Sequence, residues 1–344
     1  DASKFVGKKD FNVKNSLKNY WGSDYRKYLM QTFLDNKKPV ECKNCWTQES
    51  KNLTSLRQET NKENKIVFKT NFKKHLTQMK KLELQQPEYV HMSITNLCNL
   101  KCQMCEGSSS STLLNENVKL GFEKGLKQKD FDWTQGSKLK FVNELLKHDL
   151  KSLGLIGGES LMVPEILMLL SELSKRQEVT ENMQLTVITN GTQCNDKILD
   201  ILGKFKKLKI MLSIESTGKQ NEYIRFPSNW RVIENNISKF KTLQHATLHI
   251  NCTVQNLNIL YLNQLIDFAH EQNIHLKFNI LQKPTYLKFY NLPISLLTKS
   301  FDKLKNIPKE KLVHTTNFEN LLALIAKHIE QKPKPSSTEY AEFT

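Results

Sequence analysis

The chain has 344 residues, 38% of them hydrophobic, and a formal charge of +16 from 51 basic and 35 acidic residues. That length suits one large α/β domain with an appendage, and the hydrophobic content is adequate for a buried core. No run of eighteen apolar residues argues for a spanning helix, and the opening DASKFVGKKDFN has no apolar signal-peptide core, so no membrane is expected. The charge admits a nucleic-acid partner without favouring one. Only five of the basic residues are arginine, and the lysines are spread along the chain rather than clustered.

Residues 1–86 are lysine-rich and mostly helical in pattern. SDYRKYLMQTFLDN (23–36) spaces Tyr25, Leu29, Phe33 and Leu34 along one helix face. NKKPVECKNCW (36–46) reads as a loop punctuated by Pro39, and a second helical stretch is expected over about 62–83. From residue 87 short apolar strands alternate with amphipathic stretches. The candidate strands are EYVHMSI (88–94), KSLGLIG (151–157), QLTVITN (184–190), LKIMLSI (208–214), TLHINCTV (247–254) and HLKFNI (275–280). Helical patterns fall at 138–148, 164–176, 195–205, 229–240 and 262–272. Six βα units predict a parallel sheet with right-handed crossovers, a partial (β/α)6 TIM-type barrel whose ligands sit at the carboxyl ends of the strands. Residues 283–344 read as a helical extension, with the last dozen residues disordered. The expected domains are thus 1–86, 87–282 and 283–344.

Five of the seven cysteines form two tight groups, Cys42 with Cys45 and the triplet Cys98, Cys102, Cys105; Cys194 and Cys252 stand alone. Grouped thiols without a secretion signal read as metal ligands in a reducing compartment, and the isolated two as small apolar fillers. The triplet, C-x3-C-x2-C in CNLKCQMC (98–105), follows the first strand and so stands at the carboxyl end of the sheet. Structural zinc asks for four protein ligands, and so do most four-iron cubanes. Three cysteines leave one corner open for a substrate or cofactor. His91 and His249, within strands, read as sheet-face histidines.

CNLKCQMC resembles the cluster loop of the radical S-adenosylmethionine (radical SAM) enzymes. The resemblance implies a [4Fe–4S] cluster whose open iron binds S-adenosylmethionine. Reductive cleavage then yields a 5′-deoxyadenosyl radical that abstracts hydrogen from a substrate. Met104 stands where the family usually has an aromatic residue near the adenine. Gly157, Gly158 and Glu159 resemble the family's GGE element, which receives the cofactor's amino group. Ser213 and Glu215 in LSIES resemble its serine and acidic residue facing ribose and carboxylate, and Arg225 resembles its carboxylate-binding arginine. Asn190 of ITNGT, beside Gly191, is a candidate donor to ribose or carboxylate, against a plain turn; Asn251 is a candidate for the methionyl portion.

CKNCW, Glu49, Ser55 and Arg57 resemble the accessory twitch element, related to SPASM, which holds an auxiliary iron–sulfur cluster. The family's further upstream cysteines are absent, and two thiols cannot hold a four-iron cluster. A chain lacking its natural N-terminus, since it begins with Asp, is the favoured explanation, over a lost cluster or a zinc site. The resemblance covers about 42–292 and implies a cytoplasmic oxidoreductase or transferase. Its substrate would be a peptide, carbohydrate or nucleotide derivative, its electron donor a flavodoxin or ferredoxin. Two rivals stand beside it: a zinc-stabilised basic nucleic-acid-binding module, and a degenerate member that binds S-adenosylmethionine without turnover.

Overall fold

A computed structural model of the protein describes residues 22–50, 55, 57, 58, 61, 77, 88–123 and 135–331. The helical stretch expected over 62–83 falls, apart from residue 77, outside the described residues, as does the C-terminal end from 332. The chain divides into two compact units, one of residues 1–88 and 134–149, the other of 89–133 and 150–344.

In the first unit, helix α1 (Asp24–Leu34) starts where the Ser23 hydroxyl accepts the Arg26 amide. The segment expected to be a loop around the first cysteine pair is helical instead. Pro39, at φ −58°, leads into a 3₁₀ turn (Val40–Cys42) that runs directly into α2 (Lys43–Glu49). The fixed proline torsion and the Trp46 Nε1 donation to the Pro39 carbonyl (3.2 Å) close this turn. Past α2, the Glu49 carboxylate accepts from Ser55 Oγ (2.5 Å) and from Arg57 Nη2 (2.7 Å) and Nε (3.1 Å). The Arg57 guanidinium lies 4.7 Å from the centre of the Trp46 ring. The expected helix at 138–148 appears as α4 (Gln135–Leu145) and groups with this unit.

The second unit is a parallel sheet in strict chain order: β1 (Tyr89–Met92), β2 (Ser152–Leu155), β3 (Gln184–Thr189), β4 (Lys207–Ser213), β5 (Ala246–Val254), β6 (His275–Ile280) and β7 (Thr315–Thr316). β1 and β7 do not pair, so the sheet is an open, partial barrel. All six expected strands are present. The seventh, two threonines, is too short to show any alternation. Helices follow the strands: α3 (Ser111–Lys119), α5 (Pro164–Leu173), α6 (Gln177–Asn182), α7 (Asp196–Leu202), α8 (Gly218–Ile224), α9 (Trp230–Lys241), α10 (Leu262–Glu271), α11 (Ile294–Lys305) and α12 (Phe318–Gln331).

One face of each strand supplies the core. Leu185 and Val187 on β3, Ile210 and Leu212 on β4, Ile250, Cys252 and Val254 on β5 are wholly buried. Ile233, Ile237 and Phe240 of α9, and Leu262, Leu265 and Ile266 of α10, recur at helical spacing and are buried with them. Each such side chain contributes about 1.5–3 kcal/mol on leaving water. The opposite strand face, including Met211, Ser213, Asn251 and Lys277, is only half-buried. Among the described residues no helix is long and apolar enough to cross a membrane.

Candidate functional site at the carboxyl ends of the strands

The triplet loop leaves β1 and returns against the start of α3. Its backbone is held by the serine-rich stretch that follows. Ser110 Oγ donates to the Leu100 carbonyl (2.6 Å) and caps α3 by accepting the Leu113 amide. Ser111 Oγ accepts the Cys98 amide (3.2 Å), Thr112 Oγ1 donates to the Cys98 carbonyl, and Asn96 Nδ2 reaches the Gly107 carbonyl (2.9 Å). On its other side the loop pairs with the end of α8 and the residues after it: the Gln103 amide donates to the Ile224 carbonyl and the Lys101 amide to that of Phe226. Cys98 and Cys102 are buried around Leu100, with Met104 and Cys105 packed against them.

The sulfurs have N–H neighbours. The Leu100 amide lies 3.5 Å from Cys98 Sγ, Asn190 Nδ2 lies 3.9 Å from the same atom, and Arg225 Nη1 lies 3.7 Å from Cys102 Sγ. Burial pushes the Cys98 thiol up. Cys102 and Cys105 share a hydrogen bond, which with burial raises Cys102 and draws Cys105 down, while Arg225 lowers both. Among the described residues no three His, Cys, Asp or Glu side chains converge on one point able to hold a single metal ion. The donor set fits a larger group: three soft sulfurs in one loop, with amide and guanidinium donors able to stabilise them as thiolates.

Gly157 and Gly158, after β2, have positive φ of 83° and 51°. A Cβ on Gly158 would stand 2.2 Å from the Leu97 carbonyl oxygen, and one on Gly157 1.8 Å from Ser93 Oγ. The close approach that these glycines permit is therefore to the chain's own triplet loop. Gly158→Ala is expected to force that loop away, destabilising the protein by more than about 2 kcal/mol from strain and clash together. Chemical denaturation checks this; an unchanged midpoint would contradict it.

Glu159 has no exposed surface. Its amide donates to the Leu97 carbonyl (2.7 Å), and its carboxylate accepts from Leu161 N (3.2 Å), Thr189 Oγ1 (2.8 Å) and Asn190 N (2.6 Å). Burial raises its pKa while these donors pull it back. Glu159 thus ties the ends of β1, β2 and β3 together. Asn190 is buried too, and its Nδ2 donates to Asn99 Oδ1 (3.0 Å), whose own Nδ2 reaches Thr192 Oγ1 (2.9 Å). Asn99 and Thr192 were not singled out from the sequence, because nothing in CNLKC or ITNGT reveals that the two loops meet.

Ser213 ends β4, so the two-residue period that would put Glu215 on its side stops there. Glu215 is fully buried and paired with Arg225 Nη2, and its Oε2 accepts the Thr253 amide (2.6 Å). Arg225, at the end of the unforeseen helix α8, has its Nε buried with no partner among the described residues. A buried guanidinium N–H beside three thiols, left without an acceptor, marks the place of an anionic group. Ser213 pairs in register with Asn251, half-buried on β5, whose Oδ1 accepts from Asn279 Nδ2. Cys252 is wholly buried in β5, as a small filler would be, whereas Cys194 is half-exposed, its thiol pushed up to about 11 by burial.

Curated relatives match part of the chain. The chain is 25% identical over 194 residues to GTP 3′,8-cyclase of Clostridium perfringens strain SM101, covering 56% of this chain and 54% of that protein. It is 26% identical over the same length to the enzyme of strain 13. The chain spans about half the length of these relatives. Among solved structures, it is similar to Streptococcus suis SuiB bound to the precursor peptide SuiA (19% identity, 69% of this chain, 50% of that one, TM-score 0.43). It is also similar to native anSMEcpe with bound AdoMet (19% identity, 68% and 64% covered, TM-score 0.48). The model of the Radical SAM superfamily matches residues 92–269, more than half of the chain and the ends of β1 to β5. The chain therefore belongs to the radical SAM superfamily, whose enzymes work with a [4Fe–4S] cluster and S-adenosylmethionine.

Proposed function

We propose that this chain cleaves S-adenosylmethionine reductively at a [4Fe–4S] cluster held by Cys98, Cys102 and Cys105. The observation that carries the reading is the meeting of three thiols in one buried loop with the unpartnered Nε of Arg225. When bound, the cluster supplies the electron that breaks the cofactor's sulfonium bond and releases a 5′-deoxyadenosyl radical. The protein's part is to position and to shield.

Arg225 offers Nε to the cofactor's carboxylate while Nη1 faces Cys102, and Glu215 fixes its orientation. Gly157, Gly158 and Glu159 would receive the cofactor's amino group, the buried Glu159 carboxylate favouring an ammonium through a low dielectric. Ser213 and Asn251, neighbours on β4 and β5, suit the ribose and methionyl portions. Asn190 acts as a positioning residue through Asn99 and Cys98. Met104 offers a polarizable thioether to the adenine.

The first unit is assigned a twitch-like accessory role. Cys42 and Cys45 stand one turn apart at the start of α2, and the Glu49–Ser55–Arg57 network folds the chain back beside Trp46. The two thiols would supply two ligands of an auxiliary iron–sulfur cluster, the rest coming from other residues. A flavodoxin or ferredoxin in the cytoplasm is the matching electron donor. The relatives named for GTP make a small-molecule substrate the first to test. The zinc module is not carried forward, since the family match spans the loop with all three cysteines.

Anaerobically reconstituted protein, reduced with dithionite and given S-adenosylmethionine, is expected to accumulate 5′-deoxyadenosine. A fully loaded cluster that yields none would establish the degenerate, non-cleaving member instead.

A further inference from the structure

The stretch ITNGT puts an asparagine, a glycine and a threonine where β3 ends. The Thr192 amide donates to Asn190 Oδ1 (2.9 Å), closing an Asx turn over Gly191, whose φ of 77° suits a residue without Cβ. The same oxygen accepts the Thr192 hydroxyl (2.6 Å). From the triplet loop Asn99 Nδ2 donates to Thr192 Oγ1 (2.9 Å), and Asn190 Nδ2 donates to Asn99 Oδ1 (3.0 Å). The three side chains form a closed ring with every donor pointing the same way round: Asn190 to Asn99, Asn99 to Thr192, Thr192 to Asn190. Bonds so arranged polarise one another in a low dielectric.

This turn decides which end of the Asn190 amide meets the cysteines. A backbone N–H can only donate, so the atom facing the Thr192 amide is the oxygen, and the nitrogen is turned toward the triplet loop. One Nδ2 proton goes to Asn99, and the other is directed to Cys98 Sγ, 3.9 Å away. Both lone pairs of Oδ1 are taken by Thr192. Asn190 is buried, and its main-chain amide is held by Glu159 Oε2 (2.6 Å). Neither its backbone nor its side chain is free to turn.

The sulfurs are not served alike. Cys98 Sγ has two N–H neighbours, the Leu100 amide at 3.5 Å and Asn190 Nδ2. Cys102 Sγ has Arg225 Nη1 at 3.7 Å. Arg225 is charged and tied to Glu215, so changing it alters much besides the sulfur. Asn190 is neutral, and its Nδ2 donates only to Asn99 and Cys98.

We propose that Asn190 raises the reduction potential of the cluster through the N–H that its turn and ring aim at Cys98 Sγ. The proposal rests on the cluster reading above. An N–H beside a cluster sulfur stabilises negative charge gathered there, and the reduced state carries one electron more than the oxidised one. The donor therefore favours the reduced state. Asn190 acts through a ligand, as a positioning residue, and touches no reacting atom in this role.

The test is a mediated redox titration of the reconstituted protein without S-adenosylmethionine, with the reduced state measured by electron paramagnetic resonance. N190L, close to asparagine in size, is expected to lower the ratio of reduced to oxidised cluster at fixed potential at least about threefold. That is about 28 mV, at about 59 mV per tenfold for one electron. N190D keeps the acceptor that the Thr192 amide needs and replaces the donor by a carboxylate oxygen. It should lower the ratio further, and it carries the test if the leucine variant folds poorly. T192A removes the ring hydroxyl but keeps the amide that orients Asn190, and should change the ratio by less than about twofold. Unchanged ratios in N190L and N190D, or a fall as large in T192A, overturn the proposal. Loss of the cluster from both Asn190 variants also overturns it, since Asn190 would then hold the site together rather than tune it. Cofactor cleavage alongside unmoved potentials overturns this inference alone. Wild-type protein that carries no iron overturns the cluster reading and this inference with it.

Discussion

Replacing Cys98, Cys102 and Cys105 together by alanine is expected to remove the principal cluster and bring cofactor cleavage below detection. Each thiol leaves a different part of one loop, and that loop is fixed by bonds that do not involve sulfur. Ser110, Ser111 and Thr112 hold the Leu100 and Cys98 backbone, and the Phe226 and Ile224 carbonyls hold Lys101 and Gln103. The variant should thus keep its sheet while losing its ligands, although some stability goes with any bound cluster. Iron analysis with far-ultraviolet circular dichroism separates the two effects. Iron retained at the wild-type level with cleavage intact would remove the triplet from the site.

The second large effect belongs to Arg225. Its guanidinium is the cationic partner of Glu215, which is fully buried and, among the described residues, has only the Thr253 amide as another donor to its carboxylate. Arg225→Ala strands that carboxylate in the interior, and removing one partner of a buried pair costs about 3–5 kcal/mol. It also deletes the donor beside Cys102. The expected result is a marked fall in unfolding free energy together with weakened S-adenosylmethionine binding. R225A/E215Q, which no longer buries an unpaired charge, should recover much of the stability but not the binding. Recovery of both would show that Arg225 is structural only. A single variant as stable as the parent would show that the buried pair contributes little.

The sheet was legible because its strands carry two signals at once. Leu185, Val187, Ile210, Leu212 and Ile250 announce buried faces, and the helices between them have their own period. Short or capped elements were not legible. β7 is two threonines, and α3 hides within a serine run that reads as loop until Ser110 is seen to cap it. α2 reads as loop because Pro39 punctuates the stretch before it, whereas in the structure that proline begins a turn leading into the helix. In the site, the cysteine triplet was readable from spacing and chemistry. The partners of Glu159 and Glu215 were not. Sequence can suggest a carboxylate facing a ligand, but the amides of Asn190 and Thr253 that claim those oxygens arrive from neighbouring strands. Asn99 joins Asn190 across 91 positions of chain, a contact that no local pattern encodes.

Electron paramagnetic resonance of the reduced, reconstituted protein, recorded with and without S-adenosylmethionine, tests the central claim most directly. A [4Fe–4S]⁺ signal that shifts on adding the cofactor, and that is absent from the triple cysteine variant, is the predicted result. A signal unmoved by S-adenosylmethionine, or one that persists after Cys98, Cys102 and Cys105 are gone, would contradict it.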